Sequence, residues 1–315
     1  MGIITVIGSL NMDLVVRTAR TPHAGETLAG SDFHLIPGGK GANQAVAVSR
    51  SGAITQMIGC VGYDAFGPAL LNSLNQAGVN STGVETIKNM SSGTATIIVE
   101  EGGENRIIIV PGANAYVTKK MIDEKWGIIK QSDIIVLQLE IPLETVFYII
   151  ARASSEGICT ILNPAPVYPI PIELLSLIDV MILNETEAEV LSGQVIRNLE
   201  DAFTAAKHLY HSGVKTAIIT LGEAGAVLVN PQYKLHQPAF EVEVVDSTAA
   251  GDTFVGSLAA ALLEGKKEPE ALLFATAASG LAVTKIGAQP SIPLQEEVNS
   301  FIKMKPQTKV IIGGE

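Results

Sequence analysis

"SDIIVLQLEIPLETVFYIIARASSEGICTILN", residues 132–163, decides the fold. "SDIIVLQLE" and "ICTILN" are short aliphatic runs of strand length, each closed by a polar residue. Between them "ETVFYIIARASSEG" repeats its apolar residues at helical spacing and stops at Gly157. Two strands joined by a helix must run parallel, because a hairpin turn cannot return the chain to the starting edge. The same alternation extends in both directions. Upstream it reads "IITVIG", "GANQAVAVSRSG", "TQMIGCVG" and "AFGPALLNSLNQAG"; downstream it reads "LIDVMILN", "LEDAFTAAKHLYHSG" and "KTAIITLG". Repeated strand–helix units of this kind predict an α/β fold, a doubly wound and mostly parallel sheet flanked by helices.

Two stretches break the rhythm. Residues 14–37 and 93–112 carry strand-like runs joined by Gly-rich turns with no helix between them, which predicts a small β-sheet lid outside the main sheet. No linker, repeat or low-complexity segment interrupts the chain. The expectation is one domain over 1–303 with the two lid segments, followed by a C-terminal tail at 304–315 to which no role attaches.

Composition narrows the function classes. Hydrophobic residues make up 47% of the chain and aromatics only 5%, so the core is expected to be aliphatic, as in parallel sheets covered on both faces. The net charge of -11 opposes nucleic-acid binding, which needs a basic stripe to displace counterions. Cys60 and Cys159 match no zinc or redox spacing, and no apolar run is long enough to span a bilayer. These features lead us to expect a reduced, cytoplasmic protein without a membrane partner.

Neither a P-loop nor a G-x-G-x-x-G fingerprint occurs, so any phosphate must be held by other means. "DSTAAGDTFVG" at 246–256 follows a strand-like "FEVEVV" and opens a helix-like run. Its small residues Ala249, Ala250 and Gly251 leave the first N–H groups of the helix uncovered at the positive end of its dipole, which makes an anion seat. Asp252 inside that seat either caps the helix or works on what the seat holds. "PGGKGANQA" at 37–45 places Lys40 and Asn43 on the first turn of another helix. A lysine there opposes the dipole and calls for an oxygen partner, although a plain turn and helix start also fits. "GSLNMD" at 8–13 carries Asn11 and Asp13 past the first strand, where open α/β sheets bind ligands. Carboxylate and amide oxygens accept from hydroxyls while amide N–H groups and an ammonium donate, so this set suits a neutral polyol. Glu140, at the end of another strand, joins that site or is a solvated loop residue. In "NETEAE" at 184–189, Asn184 and Glu187 fit a capping box as well as a metal site. "TLGEAG" at 220–225 either connects two strands or lets a nucleotide approach the backbone. His208 and His211 lack a third ligand and read as surface residues.

Taken in order, "GSLNMD", "PGGKGANQA", "LQLE", "LNPAP", "NETEAE", "ITLGEAG", "DSTAAGDTF" and "GAQPS" resemble the blocks of the ribokinase-like (PfkB-type) carbohydrate kinases, over about residues 3–303. The resemblance implies transfer of the γ-phosphoryl group of ATP to the 5-hydroxyl of D-ribose. It makes Asp252 the base and the N–H groups around Ala249, Ala250, Gly251 and Asp252 the anion hole. It assigns the sugar to Asn11, Asp13, Gly39, Lys40, Asn43 and Glu140 together with Asp252, and the nucleotide to Asn184, Thr220, Gly222, Gly225 and Gly251. Thr276 falls near the expected adenine pocket but differs from the family's more usual His or Asn, which leaves its role open. By the same carry-over, Glu187 orders magnesium (Mg2+) through water, and Asp246, Thr248, Ala282, Lys285, Gly287 and Ser291 form a loop for a monovalent cation, potassium (K+). The lid closes over the sugar and pairs with a second lid in a homodimer. Alternatives of the same fold are a deoxyribokinase or another sugar or nucleoside kinase. Phe33 alone supplies a lid aromatic for stacking on a base, and Lys40 alone a basic group for a sugar phosphate. A catalytically silent sugar-binding regulator is the alternative from another class.

Overall fold

The computed structural model describes residues 2–102, 104–305 and the backbone of 310–311. Its first half contains β1 (Ile3–Ile7), β2 (Asn11–Thr18), β3 (Asp32–Gly38), α1 (Lys40–Arg50), β4 (Ile54–Gly62), α2 (Phe66–Gln76), β5 (Asn80–Ile87), β6 (Gly93–Glu100) and β7 (Asn105–Val110). The middle adds α3 (Lys119–Ile129), β8 (Ile134–Leu137), α4 (Leu143–Ser155), β9 (Cys159–Leu162), α5 (Ile172–Leu175), β10 (Val180–Asn184), α6 (Glu185–Ser192) and α7 (Leu199–His211). The chain continues through β11 (Thr216–Thr220), β12 (Ala226–Val229), β13 (Lys234–Gln237), α8 (Ala250–Leu263), α9 (Glu268–Ala282), α10 (Gln295–Met304) and β14 (Val310–Ile311).

The main sheet has the order β14-β13-β12-β11-β10-β9-β8-β1-β4-β5. From β5 to β11 every neighbouring pair is parallel, and β12, β13 and β14 add an antiparallel edge. Alternate residues of one strand feed opposite cores. Ile134 and Val136 of β8 pack with α1, α8 and α9, whereas Ile135 and Leu137 pack with α3, α4 and α7. Strands buried on both faces must be apolar throughout, which is why they read as continuous aliphatic runs. Strand order grows from β1 first toward β5 and then in the other direction through β8, so the switch point lies beside β1. Loops leaving β1 and its neighbours at that point open the crevice where such sheets hold ligands.

The two stretches expected to stand apart form a four-stranded sheet of order β3-β2-β6-β7. β2 pairs with β6 in parallel and with β3 antiparallel, and β7 closes the other edge. All of β7 is exposed, including Ile107, Ile108, Ile109 and Val110.

One sequence reading changes. "FEVEVV" at 240–245 alternates as a strand should, yet it forms none. Phe240 packs on Phe301, Val244 and Val245 are exposed, and the segment's ladder-like contact is the Val245 N–H on the Val283 carbonyl. A strand needs a partner edge, and the edge beside β13 is taken by β14. "TLGEAG" does connect two strands, as the turn of the β11–β12 hairpin. His208 and His211 are exposed, as read. Of the 304–315 tail, residues 306–309 and 312–315 lie outside the described residues. No helix among the described residues is long and apolar enough to cross a membrane.

Candidate active site

The site is assembled where α1 and α8 start against the loop leaving β1. Gly39 precedes α1 at φ +89°, and a Cβ there would lie 2.7 Å from the Asn11 nitrogen, so only glycine fits. A Cβ on Gly41 would meet the Ser9 nitrogen at 2.6 Å. These glycines press α1 onto the 8–11 backbone, and Gly256 of α8 in turn leaves no room for a Cβ against Gln44 and Ala47 of α1. The crossing brings Asn43 and Gln44 onto Asp252. Asn43 Nδ2 donates to Asp252 Oδ2 at 3.0 Å, and Gln44 Nε2 donates to Asp252 Oδ1 at 3.0 Å.

Around this pair stand more carboxylates. Glu140 Oε2 accepts from the Ser9 hydroxyl at 2.5 Å and from the Lys40 N–H at 3.2 Å. Asp13 is only 8% exposed, and a Cβ on Gly38 would sit 2.3 Å from its Oδ2, so that glycine makes space for the carboxylate. Burial, then the charges of Glu140 and Asp252, push Asp13 up to about 7 against the opposing pull of Lys40. Burial likewise raises Glu140, with Lys40 and the Ser9 hydroxyl working against it, and raises Glu187. Burial weakens the Lys40 charge, but Asp252, Glu140, Glu187 and Asp13 outweigh it and hold the ammonium above its ordinary value. Four carboxylates thus share one lysine. Excess negative charge here suits a partner that brings cations or hydroxyl donors.

A cavity of about 240 Å³ opens beside Asp252, lined by Lys40, Asn184, Glu187, Thr220 and the 249–252 turn. Ala249 takes φ +59°, a left-handed conformation that costs a non-glycine residue about 1 kcal/mol and occurs at constrained sites. The Ala250 N–H is spent on the Ser247 carbonyl at 3.2 Å, and the Ser279 hydroxyl of α9 pins the Ala250 carbonyl at 3.0 Å. The N–H groups of Ala249, Gly251 and Asp252 find no acceptor among the described residues, and a Cβ on Gly251 would meet nothing within 4 Å. Of the four N–H groups expected to form the anion seat, the one on Ala250 is spent inside the turn.

Asn184 and Glu187 form the capping box of α6, with the Asn184 side chain accepting from the Glu187 N–H at 2.8 Å and Glu187 accepting from the Asn184 N–H at 2.9 Å. Glu187 also lines the cavity, so the cap and the cavity wall share a residue. Gly222 and Gly225 sit in the β11–β12 turn outside that wall, and a Cβ on Gly225 would lie 2.0 Å from the Gln237 carbonyl. Thr276 is buried on α9 with its hydroxyl bonded to its own helix at Leu272. It does not join the cavity.

Asp246 ties together the two stretches of the expected cation loop. Its Oδ1 accepts from the Thr248 N–H and hydroxyl at 2.9 and 2.6 Å, and its Oδ2 accepts from the Gly287 N–H at 2.9 Å. Burial alone would raise this carboxyl, but those bonds hold it below its ordinary value. Ala282 accepts from the Lys285 N–H, the Ser291 hydroxyl donates to the Ala288 carbonyl, and the Lys285 ammonium turns away to Glu297. No group of three or more His, Cys, Asp or Glu positioned to hold a metal occurs among the described residues.

Sequence reasoning missed the amides that support the site. Asn114 accepts from the Leu10 N–H, donates to the Leu10 carbonyl, and donates to Asn11 Oδ1 at 2.8 Å. Gln44, Gln138 and Asn163 also went unmarked as site residues, although each stands inside a quoted block. Their type and position carry no periodic signal.

Comparison with known proteins shows the family. The pfkB family of carbohydrate kinases matches residues 1–295. A ribokinase of Haemophilus influenzae is 40% identical over 95% of this chain and 98% of its own. A deoxyribokinase of Salmonella typhi is 36% identical over 96% of this chain and 99% of its own. Among solved structures, Arabidopsis thaliana ribokinase complexed with ribose and ATP superposes with a TM-score of 0.91 at 34% identity, covering 96% of this chain and 99% of that one.

Proposed function

This chain belongs to the pfkB family of carbohydrate kinases, and from that premise we infer the reaction its site performs: ATP-dependent phosphorylation of D-ribose at the 5-hydroxyl. The observation that carries the mechanism is Asp252, whose carboxylate is gripped on both oxygens by α1 amides at the mouth of a turn whose Ala249, Gly251 and Asp252 N–H groups are free. Asp252 takes the proton of the attacking hydroxyl. As the new O–P bond forms, the bond to the bridging oxygen breaks and ADP leaves. Ala249, Gly251 and Asp252 N–H groups face the charge that spreads over the transferred group, with Ala250 shaping the turn. Phosphoryl transfer through a loose transition state gains most from such positioning, so a modest base suffices.

In this proposal Asn11, Asp13, Gly39, Lys40, Asn43 and Glu140 hold the sugar. Asp13 accepts no hydrogen bond among the described residues, which leaves its oxygens for ribose hydroxyls. Asn184, Thr220 and the 249–252 turn line the nucleotide side, with Gly222 and Gly225 shaping the hairpin beside it. Glu187, a hard oxygen donor on the cavity wall, would order magnesium through water, and the ion would supply neutralisation of phosphate charge. The oxygen-only set around Asp246, Thr248 and Gly287 suits potassium rather than a transition metal. Residues 1–303 act as one kinase domain in the cytoplasm, consistent with the free thiols of Cys60 and Cys159. The exposed Ile107–Val110 edge, with Phe33 and Leu35, supports pairing of the lid with a second copy.

A panel of pentoses, hexoses and nucleosides assayed for ATP turnover tests this reading. Ribose should give the highest kcat/KM. Preference for 2-deoxyribose would move the assignment to the deoxyribokinase branch, and no turnover with any sugar would leave a silent binder.

A further inference from the structure

Asp252 Oδ1 lies at the end of a chain of buried side-chain amides. Gln138, at the end of β8, donates through Nε2 to Gln44 Oε1 at 2.6 Å. Gln44 Nε2 then donates both to Asp252 Oδ1 at 3.0 Å and to Asn163 Oδ1 at 3.1 Å. Asn163 Nδ2 donates to the Ile182 carbonyl of β10 at 2.9 Å. Gln44 and Gln138 are fully buried and Asn163 is nearly so.

Only one arrangement of donors satisfies this chain. The Ile182 carbonyl accepts and cannot donate, so Asn163 must turn its Oδ1 toward Gln44. Gln44 therefore presents Nε2 to Asn163, and the same nitrogen faces Asp252. Its Oε1 is left for Gln138, which must answer with Nε2. The structure shows the consequence: Gln138 Oε1 is buried without a partner. An unpaired buried acceptor is costly, and here that cost goes with fixing the direction of the chain. Gly8 supports the device, because a Cβ there would lie 2.0 Å from Gln138 Oε1.

We propose that Gln44 is a positioning residue for phosphoryl transfer, locked by Gln138 and Asn163 so that its N–H fixes the Asp252 carboxylate and keeps Oδ1 free of a proton. The proposal rests on Asp252 being the base. With Oδ1 closed, the proton from the sugar hydroxyl goes to Oδ2. There the neighbouring donor is Asn43, whose own Oδ1 is buried without a partner and whose amide no other side chain locks. The charged groups facing Asp252 are Lys40 of α1, Asp13 of β2, Glu140 after β8 and Glu187 of α6. None of them touches Gln44 Nε2.

The test compares wild type, Gln44→Met, Gln44→Glu and Asp252→Asn for kcat, ribose KM and the pH dependence of kcat/KM. A hydrogen bond to an ionised group corresponds to roughly 10- to 100-fold in rate. Gln44→Met should lose that much kcat with ribose KM within about threefold, because Gln44 is fully buried and its amide is spent on Gln138, Asn163 and Asp252. Its acidic limb should move to higher pH, since the charged carboxylate has lost a donor. If Gln44→Met fails to fold, Gln44→Glu keeps the shape: protonated it still donates, and ionised it repels Asp252. Its activity should fall with rising pH where wild type holds. An unchanged kcat and limb in Gln44→Met, a rise in KM alone, or a wild-type pH profile in Gln44→Glu would overturn the proposal. An inert Asp252→Asn beside a normal Gln44→Met would sink the positioning role only. An active Asp252→Asn would instead sink the base on which it rests.

Discussion

Replacing Asp13 by Asn should make the protein more stable at neutral and alkaline pH while impairing sugar use. In the folded protein Asp13 is raised from 3.8 to about 7, by burial first and then by Glu140 and Asp252. Between those values the folded state holds a proton that the unfolded chain has released. Stability therefore falls as pH climbs through this window, and the contribution is complete below 3.8 and gone above 7. A gap of about three pKa units corresponds to roughly 4 kcal/mol. The Asn side chain cannot ionise and escapes that penalty. Urea unfolding of wild type and Asp13→Asn at several pH values from 4 to 8.5 reads the difference directly. The variant should gain on wild type as pH rises, by up to roughly 4 kcal/mol at the alkaline end. Glu140 and Glu187 are also raised and give wild type the same slope, so the difference between the two proteins, not either curve alone, isolates Asp13. A difference that stays flat across the range would refute the reasoning, because Asp13 would then ionise as it does in the unfolded chain.

Potassium should activate the enzyme several-fold over sodium at constant ionic strength. Asp246→Ala should abolish that response with little change in ribose affinity, since Asp246 ties Thr248 to Gly287 without lining the cavity. Equal rates in sodium, potassium and a bulky organic cation would remove the cation from the account. For specificity, ribose should exceed 2-deoxyribose in kcat/KM, because a site built to bond a hydroxyl leaves polar groups unpaired when it is missing. Asn11→Ala should narrow that gap; a ratio unmoved by the change would take Asn11 out of hydroxyl recognition.

Much of this architecture is legible in the sequence because its signals are periodic or punctuated. Strands such as "IIVL" at 134–137 are buried on both faces, and glycines such as Gly39 stand where a turn needs positive φ. Asp252, Lys40 and Asn43 announce themselves as polar groups at helix starts. The antiparallel edge β12–β14 and the loss of a strand at 240–245 were hidden, since an alternating run reads the same whether or not a partner edge exists. The amides Gln44, Gln138, Asn163 and Asn114 were hidden for another reason. Their role lies in partners as distant along the chain as Gln44 and Asp252, and a neutral buried side chain leaves no mark in charge or spacing.

The central claim, that Asp252 deprotonates the ribose hydroxyl beside a seat of free N–H groups, is tested most directly by Asp252→Asn. Transfer of labelled γ-phosphate from ATP to ribose would be followed alongside calorimetric ribose binding. Turnover should fall by about 10²- to 10⁴-fold, the range for a positioned acid–base group, with ribose still bound. Near wild-type transfer in Asp252→Asn would contradict the account.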